Sequence, residues 1–327
     1  MKVDYASKDF FIGAIINILS RQIKIVDFAD QFTRSNFESK TQKTYAMIKP
    51  DAVQNMGQII SKIEQSSLAI ERLKLFKFST QKAEEFYGEH KGKNFFENLV
   101  KFMTSGYVVG MELVGNDAVA VWRALIGPTN SHTARMEKPD SIRALFGTDG
   151  SKNAVHGSDS TTSADRELKI FDTVDQTTDF FERKSSFILI KPHVLREQKM
   201  GQVLAALIPK LGKEGISVIN AELFKLTRAN SEEFLEVYRD VIPEFHQIAE
   251  ELTEGKCLAL AVQGEAFVVQ TVRKIIGPHD PQVSRALREN TIRAQFGKDK
   301  VRNAVHCTDL EDDGELECEF FFLLLKK

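Results

Sequence analysis

Cysteine and long hydrophobic runs are both scarce in this chain of 327 residues. The three cysteines are odd in number, show no CxxC spacing and lie in the last quarter of the chain, at Cys257, Cys307 and Cys318. This pattern argues against a disulfide scaffold or a cysteine zinc site and favours a reducing compartment. No apolar run approaches the ~18 residues of a membrane span. Asp and Ser interrupt the N-terminal MKVDYASKDFF, so the profile of a signal peptide is missing. We therefore expect a soluble intracellular protein without a membrane partner.

A large net charge is also absent. The chain has 44 Lys and Arg residues and 46 Asp and Glu residues, so its net charge is only -2. This balance argues against a nucleic-acid binder that works by bulk charge and leaves room only for a local basic cleft. Hydrophobic residues make up 42% of the chain, which is ordinary for a globular protein. At roughly 150 residues per domain, the length predicts about two domains.

Three sequence blocks each occur twice, in the same order. The separation between matched residues is 142 at Lys49 and Lys191 and 150 at Arg123 and Arg273, so the second copy carries eight additional residues. Chance similarity over three ordered blocks is very improbable, and the pattern indicates tandem duplication of one domain. The matched blocks are residues 44–57 with 187–201, 121–130 with 271–280, and 141–159 with 291–309.

The repeat divides the chain into two domains and two smaller segments. The first domain is predicted over residues 44–172 and the second over 185–327, with a polar linker over 173–184 that lacks apolar periodicity. Residues 1–43 stand outside both copies. Two stretches in this segment alternate like short strands, and two strands alone cannot form a stable domain.

Apolar periodicity within each copy predicts a mixture of strands and helices in the order β-α-β-α-α-β-α-α-β-α. Few strands, bulky helices and short connections favour an α+β sandwich with helices on one face of the sheet. The ferredoxin-like β-α-β-β-α-β core is the closest supersecondary match. The predicted fold is therefore two tandem ferredoxin-like α/β sandwich domains with a short N-terminal β fragment.

Six polar positions are kept in both copies. Three cations, an amide, an imidazole and a carboxylate are the parts of a phosphoryl-transfer site, because cations neutralise phosphate oxygens and a neutral imidazole is a nucleophile near its ordinary pKa of about 6.5. The carboxylate, eleven residues after the histidine, could accept the proton on its other ring nitrogen. The pairs are Lys49/Lys191, Arg123/Arg273, Arg143/Arg293, Asn153/Asn303, His156/His306 and Glu167/Glu317.

Taken singly, each of these residues has an ordinary structural explanation. An arginine on a helix usually forms a surface ion pair, and a histidine in a short apolar strand is more often a packed core residue than a catalyst. Their joint recurrence in the same order favours a functional site. A histidine-dependent nuclease is a third possibility, but no basic tract supports it.

Each copy resembles the nucleoside diphosphate kinase family at these residues. NAVHGSDS (153–160) is similar to that family's signature around its phosphorylated histidine, and MIKPDAV (47–53) is similar to its first strand and lysine. Two such domains in tandem resemble a two-kinase-domain branch associated with ciliary axonemal microtubules, in which a DM10 module precedes the kinases. Residues 10–34 resemble the end of such a module. The resemblance implies a cytoplasmic, cytoskeletal location in the ciliary axoneme, with tubulin and other doublet-microtubule proteins as partners.

The resemblance also implies a reaction and a role for each matching residue of the first copy. A nucleoside triphosphate would phosphorylate His156, and a nucleoside diphosphate would then take the phosphate, with Mg²⁺ bridging the nucleotide phosphates. Ser158 and Glu167 would support the histidine, and Tyr87 would lie near Lys49. Phe95 would stack on the base. The residues that would hold the phosphates and the ribose are Lys49, Arg123, Thr129, Arg143 and Asn153.

The second copy departs from this pattern, and we expect it to be weakly active or inactive. Its phosphate clamp remains in Lys191, Arg273 and Arg293. Asn303, His306 and Glu317 are kept as well. His279 and Asp280 replace the Thr and Asn of the first copy, and Thr308 replaces the Ser. The family's tyrosine falls on Leu235 or Glu236, and its base-stacking phenylalanine falls near Glu244 or Phe245.

The segment between Gly127 and Arg143 is about three residues longer than in single-domain members of the family that the chain resembles. Those enzymes use this loop for oligomer contacts, so their hexamer is in doubt for this chain. The two copies could instead pair within the chain, as subunits do in the dimers of that family.

Overall fold

The computed structural model describes residues 14–18, 21–30, 32–33, 41–176 and 184–326. Most of the predicted linker, residues 177–183, lies outside this part of the chain, and so does much of the N-terminal segment. The strands are β1 (Ile15–Ile18), β2 (Arg21–Lys24), β3 (Thr41–Ile48), β4 (Ala69–Lys77), β5 (Tyr107–Asn116), β6 (Val155–Gly157), β7 (Lys184–Ile190), β8 (Ser217–Lys225), β9 (Lys256–Gly264) and β10 (Val305–Cys307).

The helices of the first half follow its strands at short intervals. They are α1 (Met56–Glu64), α2 (Thr80–Phe86), α3 (Phe96–Met103), α4 (Ala118–Ile126), α5 (Ser131–Glu137), α6 (Ile142–Phe146) and α7 (Thr161–Asp172), with 3-10 helices at Pro50–Asn55 and Gly88–His90.

The second half repeats this series. Its helices are α8 (Pro192–Arg196), α9 (Met200–Lys213), α10 (Arg228–Phe234), α11 (Phe245–Glu251), α12 (Val268–Ile276), α13 (Pro281–Leu287), α14 (Ile292–Phe296) and α15 (Asp313–Glu319), with a 3-10 helix at Glu236–Tyr238 and a π-helix at Phe320–Leu324. None of the helices in the described ranges is long and apolar enough to cross a membrane.

One antiparallel sheet of eight strands runs through both halves, in the order β10-β7-β9-β8-β4-β5-β3-β6. Each half therefore places its fourth, first, third and second strands side by side, which confirms the predicted ferredoxin-like arrangement. Strands β4 and β8 join the halves, with Lys74 opposite Glu222 and Leu75 opposite Ala221. The two copies thus pair within the chain.

Helices cover both faces of the sheet rather than one. Along β3, Ala46 and Ile48 enter one core while Tyr45 and Met47 enter another, because successive side chains of a strand point to opposite faces. The first core is shared by both halves and includes α1 and α9. The opposite face carries a separate core in each half.

Helices α1 and α9 cross at two glycines. A Cβ on Gly57 would lie 2.2 Å from the backbone nitrogen of Ala205, and one on Gly201 would lie 2.2 Å from the nitrogen of Ser61. The carboxylate of Glu64 accepts hydrogen bonds of 2.9 Å from the N–H groups of Met200 and Gly201. A carboxylate at a helix N-terminus is favourable, so the first half caps the central helix of the second.

One local difference from the predicted elements lies beside the site, whereas the two short strands expected in the N-terminal segment are present. The helix α5 was not predicted; Asn130 caps it by accepting a hydrogen bond of 2.9 Å from the N–H of His132. The two N-terminal strands form an antiparallel hairpin in which Ile15 faces Lys24. Its relation to a DM10 module stays a prediction.

Candidate active site

The candidate site in the first half is built around His156, on the edge strand β6. Its Nε2 lies 2.9 Å from Oε2 of Glu167 on helix α7, and the Ser158 hydroxyl donates to the same oxygen at 2.7 Å. Glu167 and Ser158 are buried. Because a carboxylate only accepts hydrogen bonds, this contact assigns the ring proton to Nε2 and leaves the Nδ1 lone pair for chemistry.

A strained turn presents the histidine. Ala154 has φ of 67°, in the left-handed region that residues other than glycine seldom adopt. Its carbonyl accepts from the N–H of Lys49 at 2.8 Å, and its own N–H donates to Oδ2 of Asp51 at 3.1 Å. The segment from Lys49 to Asp51 therefore fixes Ala154, which lies two residues before His156.

Lys49 is the buried cation of this site. Its Nζ donates to Oδ1 of Asn153 at 2.8 Å and to the carbonyl of Ser151 at 3.2 Å. Burial lowers the pKa of Lys49 to about 8, and the nearby Arg143 adds to this effect. An anion beside Lys49 would raise its pKa again by favouring the charged form.

Arg143 is largely buried on α6, and its guanidinium donates to the carbonyls of Gly127 (2.9 Å) and Val155 (3.2 Å). Burial, followed by repulsion from Arg123, lowers its pKa to about 10. Arg123 and Thr129 are exposed; Arg123 acts on Arg143, and the Thr129 carbonyl accepts from Asn153 at 2.8 Å. The predicted phosphate ligands are thus brought together.

Aromatic rings form a wall beside the histidine. The ring centroids of Phe86 and Tyr87 lie 5.2 and 6.2 Å from that of His156. Tyr87 is buried, and burial raises the pKa of its hydroxyl. Further out, Phe95 is 49% exposed, with its ring 5.6 Å from that of His90 and its centroid 5.8 Å from the Lys93 ammonium, so the predicted base platform is partly open to solvent.

The second half keeps the histidine framework. Nε2 of His306 lies 2.9 Å from Oε1 of Glu317, and the Thr308 hydroxyl donates to Oε2 of Glu317 at 2.6 Å. Thr308 therefore replaces the serine without loss of its hydrogen bond. Ala304 repeats the strained turn with φ of 71°, and burial lowers the pKa of Lys191 to about 8.

The structure resolves both alignment ambiguities of the second half. Leu235 follows α10 just as Tyr87 follows α2, and Glu244 precedes α11 just as Phe95 precedes α3. Tyr238, at the place of His90, restores an aromatic ring 6.1 Å from His306.

Two further substitutions concern the phosphate side. Asp280 caps α13 by accepting from the N–H of Gln282 at 2.8 Å, which is the structural role that Asn130 has in the first half. His279 replaces Thr129, and burial together with Arg293 and Lys191 lowers its pKa to about 4, so its ring is neutral near pH 7. Asp309 contacts both Arg273 and Tyr238. The Tyr238 hydroxyl donates to the Asp309 carboxylate at 2.8 Å, and the Arg273 guanidinium donates to the Asp309 carbonyl at 2.5 Å.

Comparison of the two copies missed three contributing residues. Asp51 holds the strained turn, but its counterpart is His193, so a search for kept residues discards it. Arg166, whose Nη2 lies 3.5 Å from Oε1 of Glu167, corresponds to Leu316 and is lost in the same way. Tyr238 is displaced by three residues from the expected position. Within the described ranges, no cluster of three or more His, Cys, Asp or Glu side chains could hold a metal ion.

Comparison with known proteins agrees with this geometry. The sequence model described as "Nucleoside diphosphate kinase" matches residues 42–176 and 184–325. "Nucleoside diphosphate kinase homolog 7" of Rattus norvegicus is 42% identical, covering 98% of this chain and 81% of the relative, and the Mus musculus protein of the same name gives the same values. A "Nucleoside diphosphate kinase" of Desulforamulus reducens is 48% identical over 42% of this chain and 93% of its own length. The chain belongs to the nucleoside diphosphate kinase family.

Proposed function

We propose that the first half transfers the γ-phosphate of a nucleoside triphosphate to a nucleoside diphosphate through a phosphohistidine at His156. The observation that carries this proposal is the commitment of the histidine's Nε2 to Glu167 at 2.9 Å, beside buried cations. Nδ1 attacks the γ-phosphorus, and the bond to the β–γ bridging oxygen breaks, which releases the diphosphate. A terminal oxygen of the second diphosphate then attacks the phosphohistidine, takes the phosphoryl group and restores the imidazole.

The charge that spreads over the transferred group needs fixed cations. Lys49 and Arg143 are buried and held by hydrogen bonds, so their positions require little reorganisation when the phosphate enters. Arg123 is exposed and can close on the phosphate chain, and Phe95 offers a face for the base. Mg²⁺ would arrive on the nucleotide phosphates and neutralise part of their charge. Glu167 stabilises the imidazolium character that develops at the histidine.

The second half is proposed to be a weak or inactive kinase. It keeps the Glu317–His306 contact, but it lacks an aromatic residue at the place of Phe95. The proposed division of labour is therefore a catalytic first half beside a second half in which nucleotide is held poorly.

The test is phosphate exchange between ATP and a deoxynucleoside diphosphate by the purified chain. We expect the unaltered chain to exchange phosphate and His156→Ala to lose essentially all activity, while His306→Ala keeps most of it. Equal loss in both variants would contradict the division of labour, and no exchange by the unaltered chain would contradict the proposal as a whole.

We also propose that the chain is a cytoplasmic protein of the ciliary axoneme that contacts tubulin and other doublet-microtubule proteins. The support is the tandem arrangement of the two halves together with the resemblance of residues 10–34 to a DM10 module. A chain that co-sediments with doublet microtubules but does not exchange phosphate would instead be a structural scaffold. A chain that stays in the supernatant under all salt conditions would contradict the axonemal proposal.

A further inference from the structure

The second half retains a cavity of about 750 Å³ beside His306. Three acidic side chains line it, against six cations: Lys191, Arg273, Lys274, Arg288, Arg293 and Lys300. Lys191 and Arg293 are buried, and the acidic groups that act on Lys191, Glu251 and Asp299, lie outside the cavity lining. The excess of cations suits a polyanion.

Lys191 has more donors than partners. An ammonium group carries three N–H bonds. Lys49 uses donors on Asn153 and Ser151, whereas the one Lys191 hydrogen bond among the described residues goes to the carbonyl of Val301, at 2.8 Å. The buried ammonium therefore has N–H groups available for an anion in the cavity.

The nucleobase side of the same cavity is different. Glu244 stands where Phe95 stands in the first half, and its Oε1 lies 3.5 Å from Nζ of Lys300. Lys300 lies three residues before Asn303, as Gly150 lies three residues before Asn153, so this ion pair spans the equivalents of Phe95 and Gly150.

An ion pair offers no aromatic face on which a base can stack. Phe245, the next residue, is buried in the core of the second half, with the Arg239 guanidinium 4.9 Å from its ring centroid. It therefore cannot serve as a substitute platform. The cavity keeps the cations that bind phosphate and lacks an exposed aromatic ring at the place of Phe95; Tyr238, which also lines it, donates its hydroxyl to Asp309.

We propose that the second-half cavity binds a short linear phosphate chain, such as inorganic tripolyphosphate, without using a nucleoside. The proposal rests on the proposed function only for the statement that nucleotides prefer the first half. Arg273 and Asp309 are each about half exposed, and an exposed ion pair contributes little, so a phosphate oxygen can replace Asp309 at Arg273.

The test is calorimetric titration with tripolyphosphate and with ATP. The protein is the full chain carrying Lys49→Met and Arg123→Ala, which weaken the first site. We expect tripolyphosphate to bind at least as tightly as ATP in this background. Arg273→Ala should weaken tripolyphosphate binding by about tenfold or more through loss of a charge-assisted contact. Lys213→Ala, which removes an exposed cation outside the cavity, should leave it unchanged.

A restoration variant makes the test sharper. Glu244→Phe combined with Lys300→Gly rebuilds the residues of the first half, and we expect it to raise ATP affinity about tenfold relative to tripolyphosphate affinity. ATP binding tenfold tighter than tripolyphosphate before restoration, or tripolyphosphate binding that ignores Arg273→Ala, would overturn the proposal.

A second readout avoids the variants of the first site. In the unaltered chain, tripolyphosphate should shift the NMR signals of the His279 ring, which lies among the cations, and His279→Gln identifies those signals. A saturating titration that leaves them in place would also overturn the proposal. Because neither readout measures exchange, failure here is distinguishable from failure of the proposed kinase activity.

Discussion

Ser158 and Thr308 donate the same hydrogen bond to the carboxylate that holds the neighbouring histidine. Each hydroxyl also receives the N–H of a residue on the first strand of its half, Tyr45 or Phe187. The histidine, its carboxylate and the hydroxyl therefore form one unit joined to the sheet. A replacement that keeps the hydroxyl should preserve this unit.

Replacement of Ser158 tests this point directly. Ser158→Ala leaves the buried Glu167 with one donor fewer, which costs about 1–3 kcal/mol, so we expect the exchange rate to fall roughly 5- to 150-fold. Ser158→Thr copies the second half and should keep activity within about threefold. The measurement is kcat/KM for phosphate exchange by the two variants. Equal loss in both would show that packing, not the hydrogen bond, controls the rate.

The lowered pKa of Lys49 predicts that the activity of the first site depends on pH. Its pKa is about 8 in the free protein because of burial, and a bound phosphate would raise it towards the ordinary value. Protonated Lys49 is therefore favoured by ligand, so kcat/KM should be highest below pH 8 and fall as pH rises above 8. The measurement is a pH profile of exchange, with Lys49→Arg as the control, which should shift this decline to higher pH. A profile that stays flat to pH 9.5 would contradict the assignment.

At the scale of elements, the crossing of α1 and α9 depends on two glycines whose missing side chains allow close approach. Gly57→Ala would place a Cβ against the backbone of α9, and we expect it to lower the free energy of unfolding by about 1–3 kcal/mol. Gly212→Ala lies on α9 with no atom within 4 Å of the added Cβ, so it should leave stability unchanged or raise it by up to about 1 kcal/mol. Chemical denaturation measures both, and equal destabilisation would contradict the close-packing argument.

Sequence patterns predicted most elements because each half carries strong alternation, helical periodicity and a repeated copy for comparison. They missed α5, a short helix whose sequence SHTARME has little apolar periodicity and whose start depends on the Asn130 cap. They also missed Tyr238 and Asp51, because one moved along the chain and the other changed type between halves. A search for kept residues finds only parts that remain at the same aligned position.

At the scale of the whole molecule, the pairing of β4 with β8 makes the two repeats one structure. Within the sheet, two pairs of facing residues join the strands, and Gln176 donates at 3.0 Å to the carbonyl of Leu75 and at 3.2 Å to that of Ala221 across the junction. Nothing in the pattern of β4 separates a strand that pairs at this position from one exposed at a sheet edge. The shared core therefore emerges only from the structure.

This shared core predicts that the halves unfold together. Ile60 of α1 and Leu204 of α9 belong to one core, so separation of the halves would expose apolar surface from both. We expect the fluorescence of Trp122, the one tryptophan of the chain, to change at the same guanidinium concentration at which amide protons of β9 lose protection. Two separate midpoints would show that the halves fold as independent domains.

The most direct test of the central claim is labelling of the purified chain with [γ-³²P]ATP, followed by detection of acid-labile, alkali-stable phosphate on the protein. The account predicts that His156→Ala abolishes most labelling and that His306→Ala leaves most of it in place. Labelling that survives loss of His156 and disappears with loss of His306 would contradict the account.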